Sequence, residues 1–302
     1  MNAVPRVHLK SVDTPPPAGA DAVRNLFREA QEDFRRWSPG YNMHFGWWKR
    51  GMSVFDREPM LEQMNEEVAA ALDLPAYAPA KAIDLGCGAA ATARTVARRY
   101  PRCEVVAVTI VPEQIGLGVR LNRESGVARR IAFMLADFAD TWAGTASHDA
   151  AYAIESFCYA RGAGKVPAVR EAARLLKPGG RLVVVDGFLV GGPPTGIVGW
   201  IYRRWCASWA IDELAQLEEF KASLWDAGFE QIEVRDLFLE VAPSAAHIPA
   251  VATLHTLRAL WEGRGRLSAW RWKHIAASYL SIALGLARGT FRYAMVTARK
   301  SR

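Results

Sequence analysis

The chain has 302 residues, 51% of them hydrophobic and 23% charged, with a formal net charge of +7. This composition excludes a disordered chain and allows one large α/β domain with a cover, or two small domains. The charge is uneven: residues 261–302 hold nine Lys or Arg and one acid, Glu262. That suits an anionic substrate, an anionic membrane surface or a plain solvated face. No nucleic-acid-binding motif accompanies it.

Residues 1–20 are polar and Pro-rich, with Pro15-Pro16-Pro17, and predict a disordered leader without a signal-peptide apolar run. Val23, Leu26, Phe27, Ala30 and Phe34 fall at helical spacing, so 21–37 reads as a helix stopped by Ser38-Pro39-Gly40. Tyr41 to Trp48 is dense in aromatics and carries His44. A second helix is expected from about Arg57 to Leu72. Residues 21–75 therefore form a helical N-terminal lid.

Beyond residue 76 short apolar runs alternate with amphipathic segments. Strands are expected at 81–85, 104–109, 131–136, 149–154, 181–186, 232–239 and 291–297. Helices are expected near 89–100, 112–124, 165–177 and 212–227. This alternation predicts an α/β fold: a Rossmann-like, doubly wound, mostly parallel sheet of seven strands. Residues 188–211 and 240–289 interrupt the pattern and are rich in Trp. Flat apolar indole rings suit pocket walls, so both stretches read as an inserted helical cover over the 76–302 core. Ile275 to Ala287 is too short to span a bilayer and reads as a buried helix. Cys87, Cys103, Cys158 and Cys206 show no CxxC pair and no metal-type spacing, which favours a reduced, cytoplasmic compartment and no protein metal site.

Asp84-Leu85-Gly86-Cys87-Gly88 stands where the first core strand ends and a helix begins. Open parallel sheets bind ligands at the carboxyl ends of their strands, and glycine lets the backbone approach a ligand closely. Ala91 stands where the GxGxxG pattern has its third glycine, so the turn alone leaves a dinucleotide open. Asp84 narrows the choice. A carboxylate there balances a cationic amino-acid moiety and repels a pyrophosphate.

The segment resembles the first motif of class I S-adenosylmethionine-dependent methyltransferases. Three further matches follow in order: Val108-Thr109-Ile110-Val111-Pro112-Glu113-Gln114, Ala136-Asp137-Phe138, and Leu175-Leu176-Lys177-Pro178-Gly179-Gly180. The resemblance covers roughly residues 40–240 and lies closest to the small-molecule branch, which includes sterol, tocopherol and geranyl diphosphate methyltransferases. It implies S-adenosylmethionine as cofactor, S-adenosylhomocysteine as product, and contacts from Asp84, Gly86, Cys87, Gly88, Thr109, Ile110, Gln114, Asp137, Phe138 and Ile154. Asp137 would take the adenine amino group, with Phe138 on the ring. Many members place a ribose-binding acid where this chain has Thr109, and Gln114 is the nearest polar substitute.

The acceptor loop follows the fourth core strand at Ile154-Glu155-Ser156-Phe157-Cys158-Tyr159. Related O-methyltransferases often carry a His base where Tyr159 stands. The pattern Glu-Ser-x-x-Tyr resembles geranyl diphosphate C-methyltransferases, in which a carboxylate and aromatic faces would stabilise a carbocation. That resemblance assigns catalysis to Glu155, with Tyr159 and Tyr41 as aromatic partners, and the Tyr-x-x-His-aromatic-Gly pattern of Tyr41 to Gly46 resembles the same branch and implies that His44 orients cofactor or substrate. The preferred reading is C-methylation of a prenyl diphosphate alkene, with Arg35-Arg36, Arg203-Arg204 or the basic tail as phosphate partners and Mg2+ only for a diphosphate. The alternative is O- or N-methylation of an aromatic or quinone-like ring, with His44 as base. A non-catalytic membrane- or partner-binding module stands outside both. The expected partner is thus a small apolar acceptor, anionic if it carries a diphosphate, with peripheral membrane contact and a homo-oligomer left open.

Overall fold

The computed structural model describes residues 7–9, 19–262 and 269–302. Its strands are β1 (Val7–Leu9), β2 (Ala80–Leu85), β3 (Cys103–Thr109), β4 (Ile131–Leu135), β5 (His148–Ile154), β6 (Leu176–Leu189), β7 (Ala215–Gln216), β8 (Phe229–Asp236) and β9 (Phe291–Lys300). They form one sheet in the order β1-β4-β3-β2-β5-β6-β9-β8, with β7 paired to β6. β9 runs antiparallel to β6 and β8, and the remaining pairs are parallel. The seven expected core strands are present, and the short β1 and β7 add to them.

The centre of the sheet is buried on both faces, which is why β3 reads as a nearly unbroken apolar run. Side chains alternate across it. Val105 and Ala107 pack toward α3 (Arg57–Ala71), α4 (Ala91–Arg99) and α5 (Pro112–Glu124) through Met64, Val68, Val96 and Ile115. Ile83, Leu85 and Val108 pack the opposite way, with Val169 and Ala172 of α6 (Val166–Leu175) and Phe220 and Leu224 of α8 (Leu217–Asp226). Each fully buried Val, Leu, Ile, Met or Phe among them contributes roughly 1.5–3 kcal/mol.

Several expected boundaries move. Val7–Leu9, inside the expected leader, pairs in parallel with β4; residues 1–6 and 10–18 lie outside the described residues. The helix expected over 21–37 divides at buried Ala30 into α1 (Ala20–Glu29) and α2 (Gln31–Trp37), which stacks Phe27 on Phe34 at 5.5 Å. Neither Pro nor Gly marks that break. The helix expected from 212 begins only at Leu217, because Ala215–Gln216 pairs with the last two residues of the long β6. The strand expected at 232–239 lies at 229–236, since a bulge between Glu230 and Glu233, with Gln231 at φ +51°, shifts its alternation.

The cover consists of α7 (Gly196–Ser208), α9 (Phe238–Ala245), α10 (Ile248–Glu262) and α11 (Ala269–Leu286). In α11 Ala277 and Leu284 are buried, whereas Trp272, Tyr279 and Leu286 are exposed. The expected buried helix is therefore buried on one side only. No helix among the described residues is long and apolar enough to cross a membrane.

Candidate functional site

The glycine turn forms because β2 must reverse sharply into α4 beneath the acceptor loop. Gly86 has φ +101°, and a Cβ there would lie 2.3 Å from Ser156 Cβ. Ser156 Oγ donates to the Leu85 carbonyl at 2.5 Å, so the turn and the loop after β5 lock together. The N–H groups of Gly86 and Cys87 both donate to the Val108 carbonyl, at 3.1 and 2.8 Å. Three parallel strand ends are thereby held at one edge of the sheet.

At that edge lies a cavity of about 100 Å³. Asp84, Gly86, Cys87, Gly88, Thr109, Ile110, Gln114, Phe138 and Ile154 line it, with Tyr41 and Val23 from the N-terminal segment. Asp84 is 3% exposed, and its Oδ2 has no hydrogen-bond partner among the described residues. Burial pushes its carboxyl up to about 8, partly offset by Tyr152, its register partner on β5. A buried, unpaired carboxylate oxygen is a place for a cationic donor. Thr109 Oγ1 donates to Gln114 Oε1 at 2.6 Å, which turns the Gln114 amide nitrogen toward Met43 Sδ.

Asp137 departs from expectation. Its side chain does not line the cavity; Oδ1 accepts the Ala139 N–H at 2.9 Å and closes the local turn. An Asx-turn of this kind uses the same residue type as a ligand contact, so the motif could not distinguish the two.

A second, larger cavity of about 210 Å³ adjoins the first. Phe27, Met43, His44, Glu155 and Tyr159 line both. The larger cavity is walled by Trp37, Phe34, Trp205, Trp209 and Phe291, and roofed by Val251 and Ala252 of α10 and Ile275 of α11. Its ionisable lining comprises Asp33, Glu155, Asp186, His44, Cys158, Tyr159 and Tyr293, with no Lys or Arg among the described residues. Of the four residues expected at the chemistry, Tyr41 lines the smaller cavity and not the larger one.

Glu155 stands at the junction. It has φ +48°, a left-handed conformation that non-glycine residues rarely adopt. Its Oε1 accepts the Tyr293 hydroxyl at 2.6 Å and the Phe45 N–H at 2.7 Å. Burial nevertheless raises its carboxyl to about 7, and nearby Asp186 adds to the rise. Asp186 accepts the Cys158 and Gly187 N–H groups at 2.9 and 2.7 Å, and burial raises it to about 6. Burial also lifts the Tyr159 hydroxyl well above the usual phenol range.

Both ring nitrogens of His44 are occupied. Nδ1 lies 2.9 Å from the Phe45 carbonyl oxygen and Nε2 3.0 Å from Asn65 Oδ1, while burial lowers the ring's pKa. Asn65 in turn takes Thr92 Oγ1 at 2.7 Å and donates to Asn42 Oδ1 at 2.7 Å. His44 is thus built into a buried polar chain.

Residues 82–180 match the family model described as a methyltransferase domain. Methyltransferase GfsG of Streptomyces halstedii is 28% identical over 214 residues, which cover 70% of this chain and 75% of that protein. The 27-O-demethylrifamycin SV methyltransferase of Amycolatopsis mediterranei is 27% identical over 268 residues, or 86% and 90% of the two chains. The fold also matches the geranyl diphosphate C-methyltransferase of Streptomyces coelicolor, with a TM-score of 0.69, 18% identity and coverage of 95% and 100%. The chain is an S-adenosylmethionine-dependent methyltransferase.

The methyltransferase uses S-adenosylmethionine as its cofactor and methylates small molecules. Sequence patterns did not single out two parts of its site. Arg94 is buried and donates to the carbonyls of Ala89 and Gly40, each at 2.6 Å, so it ties the glycine turn to the N-terminal segment. Asp186 sits inside an apolar strand, and its place beyond the acceptor loop follows from sheet order. Cys87, Cys103, Cys158 and Cys206 are free and buried.

Proposed function

We propose that this methyltransferase O-methylates a hydroxyl of a largely apolar small molecule that carries no phosphate, with Glu155 as general base. One observation carries the proposal: Glu155, with its carboxyl near 7, lies where the two cavities meet. A base acts best when its pKa lies near the working pH.

The lining of the smaller cavity suits the chemistry of S-adenosylmethionine. The unpaired Asp84 Oδ2 would face the ammonium of its amino-acid end, with Gly86, Cys87 and Gly88 alongside. Thr109 and Gln114 would meet the ribose through their paired polar groups, and Phe138 and Ile154 would pack on apolar parts. When bound, the cofactor supplies an electrophilic methyl group on a sulfonium. Glu155 would take the acceptor's hydroxyl proton at its carboxylate as the oxygen accepts that methyl group. The protein aligns the partners and excludes water, chiefly through the Trp walls.

The prenyl diphosphate reading fares worse. A diphosphate requires cationic partners, and arginine suits its geometry. The described lining of the larger cavity offers carboxylates instead, and a buried anion beside Asp33, Glu155 and Asp186 would be strongly disfavoured. His44 is a poor base because both its nitrogens are engaged. The relative from Amycolatopsis mediterranei is named for a substrate lacking a methyl group on oxygen, in keeping with the proposal.

Purified enzyme incubated with isotope-labelled cofactor and a panel of apolar alcohols, phenols and geranyl diphosphate provides the test. Mass spectrometry is expected to find label on oxygen of an uncharged acceptor. Label confined to carbon of the prenyl chain would overturn the proposal.

A further inference from the structure

The roof of the larger cavity has two apolar faces. A helix turns once every 3.6 residues, so residues seven apart share a side. On α10 Val251 and Ala252 look into the cavity, while Leu254, Leu257 and Trp261 lie on the far side and are exposed. On α11 Ile275 and Ser278 face inward, and Trp272, Tyr279 and Leu286 make the exposed stripe. On α7 Trp205 faces inward, with Ile197 and Trp200 outward. Several of these are open to solvent to an unusual degree: Ile197 is 79% exposed and Trp261 84%. Trp205 Nε1 donates to Ser281 Oγ at 2.8 Å, and Thr253 Oγ1 and Tyr279 Oη lie 2.6 Å apart. The three helices are therefore joined in series, α7 to α11 to α10.

A helix that is apolar on every side is ordinarily buried, and contiguous exposed apolar surface marks an interaction site. The charge of the same segments narrows the partner. Residues 196–208 and 248–286 together hold seven Arg or Lys and one acid, Glu262. On α7 Arg203 and Arg204 are exposed within the outer stripe, with the Arg204 guanidinium 5.1 Å from the Trp200 ring. Two copies of this face would bring like charges together, which disfavours a self-complementary dimer.

We propose that the outer face of α7, α10 and α11 docks on an anionic lipid bilayer surface. Trp, Leu and Ile enter the boundary between headgroups and acyl chains, and the arginines pair with anionic headgroups. The association is peripheral and requires no spanning helix. Trp combines a flat apolar body with a polar N–H, which suits that boundary. The helices that meet the lipid are the ones that roof the larger cavity.

Sedimentation of the full chain with large vesicles tests this without any acceptor. Two compositions serve: phosphatidylcholine alone, and equal parts phosphatidylcholine and phosphatidylglycerol. The wild type is expected to bind the mixed vesicles at least about tenfold more tightly and to be released by salt. The variant L257E/W261E is expected to lose binding at least about tenfold while keeping its thermal shift with S-adenosylhomocysteine, which shows an intact fold. No binding of the wild type to mixed vesicles would overturn the proposal. So would equal binding by the variant. Binding to polyglutamate but not to vesicles, or a dimer that L257E/W261E abolishes in the absence of vesicle binding, would likewise overturn it.

Discussion

Tyr293 donates its hydroxyl to Glu155 Oε1 at 2.6 Å, joining the last strand to the loop after β5 across 138 residues of sequence. This bond lowers a carboxyl that burial raises, and the balance leaves Glu155 at about 7. Tyr293→Phe removes the donor but little volume. The carboxyl should rise, so a smaller fraction is deprotonated at neutral pH. The expected result is a slower rate at pH 7, recovered at higher pH, with the acid limb of the pH–rate profile displaced upward. A purely structural role for Tyr293 would lower the rate equally at every pH.

Asp84 gives a pH dependence of cofactor binding. Its carboxyl lies at about 8 without a ligand, and a cation beside it favours the ionised form. Binding therefore expels a proton below about pH 8. Calorimetry with S-adenosylmethionine should show affinity rising with pH and levelling above about 8, by at most tenfold per unit. Asp84→Asn should bind more weakly at high pH and lose that slope.

Gly86 has no room for a side chain. Gly86→Ala places a Cβ 2.3 Å from Ser156 Cβ at φ +101°. Backbone strain and overpacking each cost about 1–3 kcal/mol. Urea denaturation should report a loss of that order, and cofactor affinity should fall with it.

Arg94 links the glycine turn to Gly40, so the N-terminal segment should respond to cofactor binding. If residues 21–50 act as a lid, hydrogen exchange there should slow on addition of S-adenosylhomocysteine. Arg94→Met leaves two carbonyls without their donor and should abolish the slowing between residues 38 and 48.

Much of this was legible in the chain. The strands announced themselves because parallel strands buried on both faces must be apolar, and Gly86 because its turn tolerates no Cβ. What stayed hidden depended on side chains meeting from distant segments. Nothing in the sequence near Glu155 points to Tyr293 or to the Phe45 N–H. His44 carries the same letter whether it serves as a base or, as here, is held by Asn65 and the Phe45 carbonyl. Asp137 sits in a ligand-binding motif yet closes its own turn. The preferred prenyl diphosphate reading rested on Glu155 and Tyr159, and the charge of the cavity around them became visible only when α2, β6 and the cover helices closed over it.

The most direct measurement is the pH dependence of kcat/KM for the wild type and for Glu155→Gln, with a hydroxyl acceptor identified from the labelled panel. The wild type should rise with unit slope and level near pH 7, while Glu155→Gln should be slower by about a hundredfold or more, lack that limb and bind S-adenosylhomocysteine normally. Turnover by Glu155→Gln at the wild-type rate, with the same acid limb, would contradict the assignment of Glu155 as the base.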